Sequence, residues 1–132
     1  MTRGLRNRNP FNIRHSANNK WLGEMPTPDD KGFCRFFLQD YGLRAGLILL
    51  RNYVEKYHLT SVDTILKRFA PSNENDTAKY IEYVENWIFK KGFNPYEITW
   101  RCPAFFELAN AIVYYESKLI YDLRLTANKF SL

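Results

Sequence analysis

The chain has 132 residues and a mass of 15.7 kDa, enough for one hydrophobic core and too little for two. Hydrophobic residues at 45% and aromatics at 17% exclude wholesale disorder, and no apolar run approaches the ~18 residues that span a bilayer. A formal charge of +5 favours an anionic partner such as nucleic acid, a membrane surface or an acidic wall polymer, although it also serves plain solubility.

The opening, Met1 to Arg6, has basic residues with no apolar segment after them, so a secretory signal peptide is not expected. Residues 1–20 are polar, basic and rich in Asn, and taken alone they read as an irregular tail in which Phe11 and Ile13 could pack. Trp21-Leu22-Gly23 has the look of a short strand. A turn-rich loop from Met25 to Gly32 follows, and then the aromatic run Phe33 to Leu38, which together predict a small β-hairpin. From Asp40 the period changes, and Leu43, Leu47, Ile48, Leu50, Val54 and Tyr57 share one helical face. Thr60 to Asp63 reads as a second helix start, whose stripe of Val62, Ile65, Leu66 and Phe69 ends at Pro71. The polar loop Ser72 to Thr77 is full of N-cap residues and leads into a third helix with Tyr80, Ile81, Val84 and Ile88 on one side. Pro103 suits the first turn of a last helix, expected to run from about Ala104 to about Leu123. The expected fold class is mainly α, an α+β domain with a small hairpin.

Cys34 and Cys102 lie in no CxxC, and only His15 and His58 could join them, so neither metal nor cofactor is expected; count alone leaves a Cys34–Cys102 disulfide open, and two buried free thiols are expected ahead of it.

One carboxylate is out of place. At about 100° per residue, Phe105, Ala109, Ile112, Val113, Glu116 and Ile120 fall within one apolar stripe about 100° wide, with Glu116 near its middle. A carboxyl group among hydrocarbon side chains holds its proton to higher pH, which is what a general acid in glycoside cleavage requires. The alternatives are an ion pair with an arginine such as Arg14 or Arg44, or a place where the stripe reaches the surface. Glu55, Glu82, Glu85 and Asp122 lie on or near polar faces, where a solvated role is the default.

The sequence Arg3-Gly4-Leu5-Arg6-Asn7-Arg8-Asn9-Pro10-Phe11-Asn12-Ile13-Arg14 resembles the RGxRNxNPxNIR opening of small phage and prophage proteins described as virion structural or muralytic. Trp21-Leu22-Gly23 resembles their W-x-G, and Gly42, Arg44 and Ala45 their G-x-R-A. Phe69 to Ile81 resembles their AP-x-x-ENDT-x-x-YI. More distantly, the pattern resembles a circularly permuted glucosaminidase-type domain of the lysozyme-like superfamily, with the Glu116-Ser117 pair moved to the C-terminal side. Phe11 and Lys118 depart from the glycines of the family pattern, and both lie near the implied site.

The resemblance implies a single lysozyme-like domain over 1–132 that cleaves the β-1,4 amino-sugar backbone of peptidoglycan, by hydrolysis or lytic transglycosylation. Glu116 would be the general acid. Glu74 would be a second carboxylate, and Tyr80 a hydrogen-bonding group near the scissile sugar or a core residue. Asn9 and Asn12 would bind N-acetyl and hydroxyl groups, or else form a turn around Pro10. Trp21 would stack on a sugar or be buried. Arg14 would meet wall carboxylates, and Asp76 would contact substrate or cap the third helix. The implied partners are glycan strands and other virion or tail proteins, with no nucleic acid. Synthesis in the bacterial cytoplasm is implied, with action at the wall or in a virion. A non-catalytic virion or wall-binding protein on the same fold is the alternative.

Overall fold

A computed structural model of the chain describes residues 1–70 and 76–132. It is mainly helical, with α1 Arg3–Arg6, α2 Gln39–Glu55, α3 Val62–Phe69, α4 Thr77–Lys90, α5 Pro103–Ser117 and α6 Leu123–Lys129. The described residues form two compact units, one of Met1–Ile48 with Ile112–Leu132 and one of Leu49–Ala111. Among them no helix is long and apolar enough to cross a membrane.

In the Leu49–Ala111 unit α3 packs on α4. Val62, Ile65 and Leu66 on α3 and Tyr80, Val84 and Ile88 on α4 are buried, as their spacing requires. Asp76 caps α4 by accepting the Lys79 N–H, and Thr77 Oγ1 donates to the Ala70 carbonyl. The connector after α4 is fastened to the segment before α3 by Ile98 N–H to the Thr60 carbonyl and Val62 N–H to the Pro95 carbonyl. Trp87 Nε1 donates to Glu107, and Trp100 meets Phe105 edge to face at 5.0 Å.

In the other unit the Asn-rich opening, expected to be an irregular tail, is core. Gly4, Asn7, Asn9, Pro10, Phe11 and Ile13 are all buried. The cause lies in two glycines one turn apart on α2. A Cβ on Gly42 would lie 2.4 Å from the Arg8 carbonyl oxygen, and one on Gly46 would lie 1.9 Å from the Phe11 ring. The missing side chains let the 8–11 segment lie directly on the helix.

The two segments expected to form a β-hairpin meet at a single antiparallel bridge, Glu24 with Phe36. Pairing among the described residues is confined to isolated bridges, Arg14 with Phe33, Ser16 with Asn19 and Glu24 with Phe36. Residues 32–37 divide their backbone groups among several short segments. Gly32 and Cys34 pair with His15 and Ile13, Arg35 and Phe37 with Met25 and Gly23, Phe33 with Asp29, and Phe36 with Asn7. Left-handed turns at Gly23 and Gly32 and the prolines at 26 and 28 end each pairing before a ladder can extend.

The last helix is corrected too. It stops at Ser117, where Lys118 takes the left-handed conformation (φ 58°) that closes many helices. Ile120, which fits the helical stripe by spacing, has left the helix and is 75% exposed. Asp122 then caps a separate α6 by accepting the Leu125 N–H. α6 is held against the start of α2 by Lys129 with Asp40, and by Phe130 with Tyr41 at 6.1 Å. Gln39 bonds Tyr121 in the connector before it.

Candidate functional site

Asn9 to Asn12 form a reverse turn with Pro10 at its first corner, closed by the Asn12 N–H donating to the Asn9 carbonyl at 2.8 Å. Arg8 and Asn12, which flank the turn, are both left-handed. Asn9 is fully buried and fully used. Its Nδ2 donates to the carbonyls of Ile13 and Cys34, and its Oδ1 accepts the Ile13 N–H, each at 3.0 Å. Asn9 thus takes the turn-forming role that was one of the two expected for it, since the side chain is completely buried and its amide nitrogen and oxygen are both engaged inside the fold.

The turn meets the end of α5. Ser117 Oγ donates to the Pro10 carbonyl at 2.7 Å, and Asn12 Nδ2 donates to Glu116 Oε1 at 3.1 Å. These contacts join residues 107 and 104 positions apart. Gly4 permits the meeting, because a Cβ there would lie 1.9 Å from Ser117 Oγ and 2.8 Å from the Asn9 carbonyl oxygen. Phe105, Ala109, Ile112 and Val113 are completely buried along the same stripe of α5, while Glu116 at its end is half-buried. Asn12 Oδ1 is buried and has no hydrogen-bond partner among the described residues. The result is a half-buried carboxyl group oriented by an amide.

The other predicted residues lie elsewhere or serve the fold. Arg14 is exposed, with its guanidinium over the Phe33 ring at 4.5 Å, a ring that Arg3 also covers at 4.4 Å. Arg44 lies over Phe130 at 5.9 Å. Trp21 is half-buried, and its backbone N–H donates to Glu24. Tyr80 belongs to the Leu49–Ala111 unit and is fully buried on α4. That corrects its expected place beside a sugar, since a side chain with no exposed surface touches no saccharide. Asp76, in the same unit, is the α4 cap. Glu74 lies outside the described residues.

Two groups were not singled out by the sequence. Asp29 accepts from the Lys31 and Phe33 N–H groups through Oδ1 and from Asn7 Nδ2 through Oδ2, and lies 3.7 Å from Arg3 Nε. Burial pulls its carboxyl upward, but the hydrogen bonds from Phe33, Asn7 and Lys31 and the Arg3 charge together hold it below the usual range. Its only signal in the sequence is a turn-rich loop. The other group is His15, Glu24 and Cys34, whose ligand-type atoms lie within 4.8 Å of one another. Counting cysteine spacings misses this set, because its partners are one thiol, one imidazole and one carboxylate. Both cysteines are free thiols, Cys34 buried and Cys102 half-buried.

No family model matches the chain. Among curated proteins, one named Protein P5 from Pseudoalteromonas phage PM2 is 44% identical over 86 residues, which is 64% of this chain and 54% of the phage protein. The chain thus resembles a bacteriophage protein and spans about half the length of that relative.

Proposed function

We propose that the chain is a phage-associated glycosidase acting on the β-1,4 amino-sugar backbone of peptidoglycan, with a lysozyme-like catalytic arrangement in which Glu116 is the general acid. The observation that carries this reading is the Asn12–Glu116 hydrogen bond, which joins the Asn-Pro-Phe-Asn turn to the end of the apolar α5 stripe. Similarity to a bacteriophage protein supports the setting, and the charge of +5 suits an acidic wall polymer.

In this reading Asn12 Nδ2 holds Oε1 as the carbonyl oxygen of the protonated acid, leaving the proton on Oε2. That proton passes to the glycosidic oxygen as the C1–O bond breaks, and the bond's electron pair stays on the leaving oxygen. Glu116 becomes a carboxylate, and Asn12 stabilises the new charge. The electron-poor C1 is then captured by water or by a hydroxyl of the same sugar, whose proton passes to the Glu116 carboxylate and restores the acid.

A zymogram on purified murein tests this. The protein clears the gel and Glu116→Gln, with an unchanged circular dichroism spectrum, does not. Clearing by the variant would overturn the role of Glu116. A second reading, a non-catalytic virion component that binds wall or tail proteins, is favoured by the internal use of Asn9 and the burial of Tyr80. It predicts no clearing by either protein, with wall pull-down retained by both.

A further inference from the structure

Three short segments run side by side in the Met1–Ile48 unit. Cys34 N–H donates to the Ile13 carbonyl, His15 N–H to the Gly32 carbonyl, and Met25 N–H to the Arg35 carbonyl. One segment presents His15, one Glu24 and one Cys34, and one imidazole nitrogen, one carboxylate oxygen and Sγ fall within 4.8 Å of one another. His15 Nδ1 lies 3.0 Å from Glu24 Oε2, and the other Glu24 oxygen is held by the Trp21 N–H at 3.1 Å. The Cys34 thiol is sealed inside, the Glu24 side chain is 7% exposed, and the His15 side chain is 34% exposed at the mouth.

A nucleophilic triad does not fit this order. The carboxylate lies between the thiol and the imidazole, whereas a catalytic thiol needs the imidazole next to it. Burial and the adjacent Glu24 carboxylate also push the thiol up to about 12, so it is inert as it stands.

We propose that His15, Glu24 and Cys34 form a binding site for a zinc-class divalent cation. One sulfur, one imidazole nitrogen and one carboxylate oxygen are a donor set that zinc accepts, with a fourth position left to water on the His15 side. Ligand atoms around tetrahedral zinc stand roughly 3.4–3.7 Å apart, by the ~2.0–2.3 Å bond lengths, so a side-chain adjustment of about 1 Å completes the site. Charge argues the same way. A thiolate, a carboxylate and a neutral imidazole cancel a dication, which makes burial of the set affordable. Binding releases the Cys34 proton to solvent. It also moves the imidazole proton to Nε2, so that Nδ1 coordinates in place of its bond to Glu24. The cation would fasten the segments next to the Asn9 turn, since Asn9 Nδ2 donates to the Cys34 carbonyl. This site does not depend on the glycosidase reading.

The test is titration of chelator-treated, full-length protein with Co2+, followed by displacement with Zn2+. The expected result is one equivalent bound with a thiolate-to-cobalt charge-transfer band, which Zn2+ abolishes. His15→Ala, changed at the exposed mouth, keeps the fold and weakens binding at least ~10-fold, the scale on which even outer-shell partners act. Glu24→Gln does the same, Cys34→Ser abolishes the band, and Cys102→Ser leaves it intact. Absence of the band, or a band lost with Cys102→Ser and indifferent to His15→Ala, overturns the proposal. The His15→Ala result decides the matter even if Cys34→Ser fails to fold.

Discussion

At the residue scale, small side chains and left-handed residues fix where the proposed acid sits. Gly4→Ala would drive a methyl group into Ser117 Oγ and the Asn9 carbonyl, both already committed to hydrogen bonds. We expect a loss of about 1–3 kcal/mol, the range for overpacked sites, read as a lowered urea midpoint. Lys118 behaves oppositely. Its left-handed backbone carries about 1–2 kcal/mol of strain that glycine lacks, so Lys118→Gly should raise stability by about 1 kcal/mol. Lysine holds the turn that a glycine would make more readily, as the φ of 58° shows. Asp29 gives a pH signature. Its carboxyl is held low in the folded chain, so its contribution is complete above the unfolded value of about 3.9 and is lost as pH falls through the folded value. Between about pH 6 and about pH 3 the protein should lose more stability than Asp29→Asn, measured by urea unfolding at each pH.

At the element scale, periodicity located α2, α3 and α4 because each buries one face, and buried side chains recur every three or four residues, although Tyr57, expected on the α2 face, lies beyond its end at Glu55 and is exposed. The same reasoning ran α5 on to Leu123, since Ile120 fits the wheel while a stop made by Lys118 has no glycine to announce it. It also read the first 20 residues as an irregular segment or tail, with packing expected only around Phe11 and Ile13. Their burial rests on saturated amides such as Asn9 and on gaps at Gly42 and Gly46, neither of which raises local hydropathy. The value of those gaps is measurable. In an open helix Gly→Ala gains about 1 kcal/mol, but at Gly46 the new methyl would lie 1.9 Å from the Phe11 ring. Overpacking of about 1–3 kcal/mol outweighs that gain, so Gly46→Ala should lower the thermal midpoint. On α4 the sign reverses. Burial, then Asp63 and Glu82, raise the Glu85 carboxyl, so its charge opposes folding near neutral pH. Glu85→Gln should stabilise there, and the gain should fade as the pH drops below the unfolded glutamate value of about 4.3.

At the scale of the whole molecule, the Met1–Ile48 and Ile112–Leu132 segments share one compact unit, so the Asn-rich turn and the Glu116-Ser117 pair come from distant parts of the chain. Spacing alone could not bring them together. The wheel singled out Glu116, but it could not show that the stripe ends there with the carboxyl half-buried, nor that Asn12 meets it. The thiol–imidazole–carboxylate set was illegible for a related reason, because three segments with no regular ladder assemble it. The measurement that bears most directly on the proposed chemistry is the rate at which soluble glycan fragments leave purified murein. The protein should release them, and Glu116→Gln should fall at least ~100-fold while melting at the same temperature, the scale of a lost general acid. Equal release by both proteins would contradict the assignment of Glu116, and no release by either, with binding to murein intact, would contradict catalysis itself.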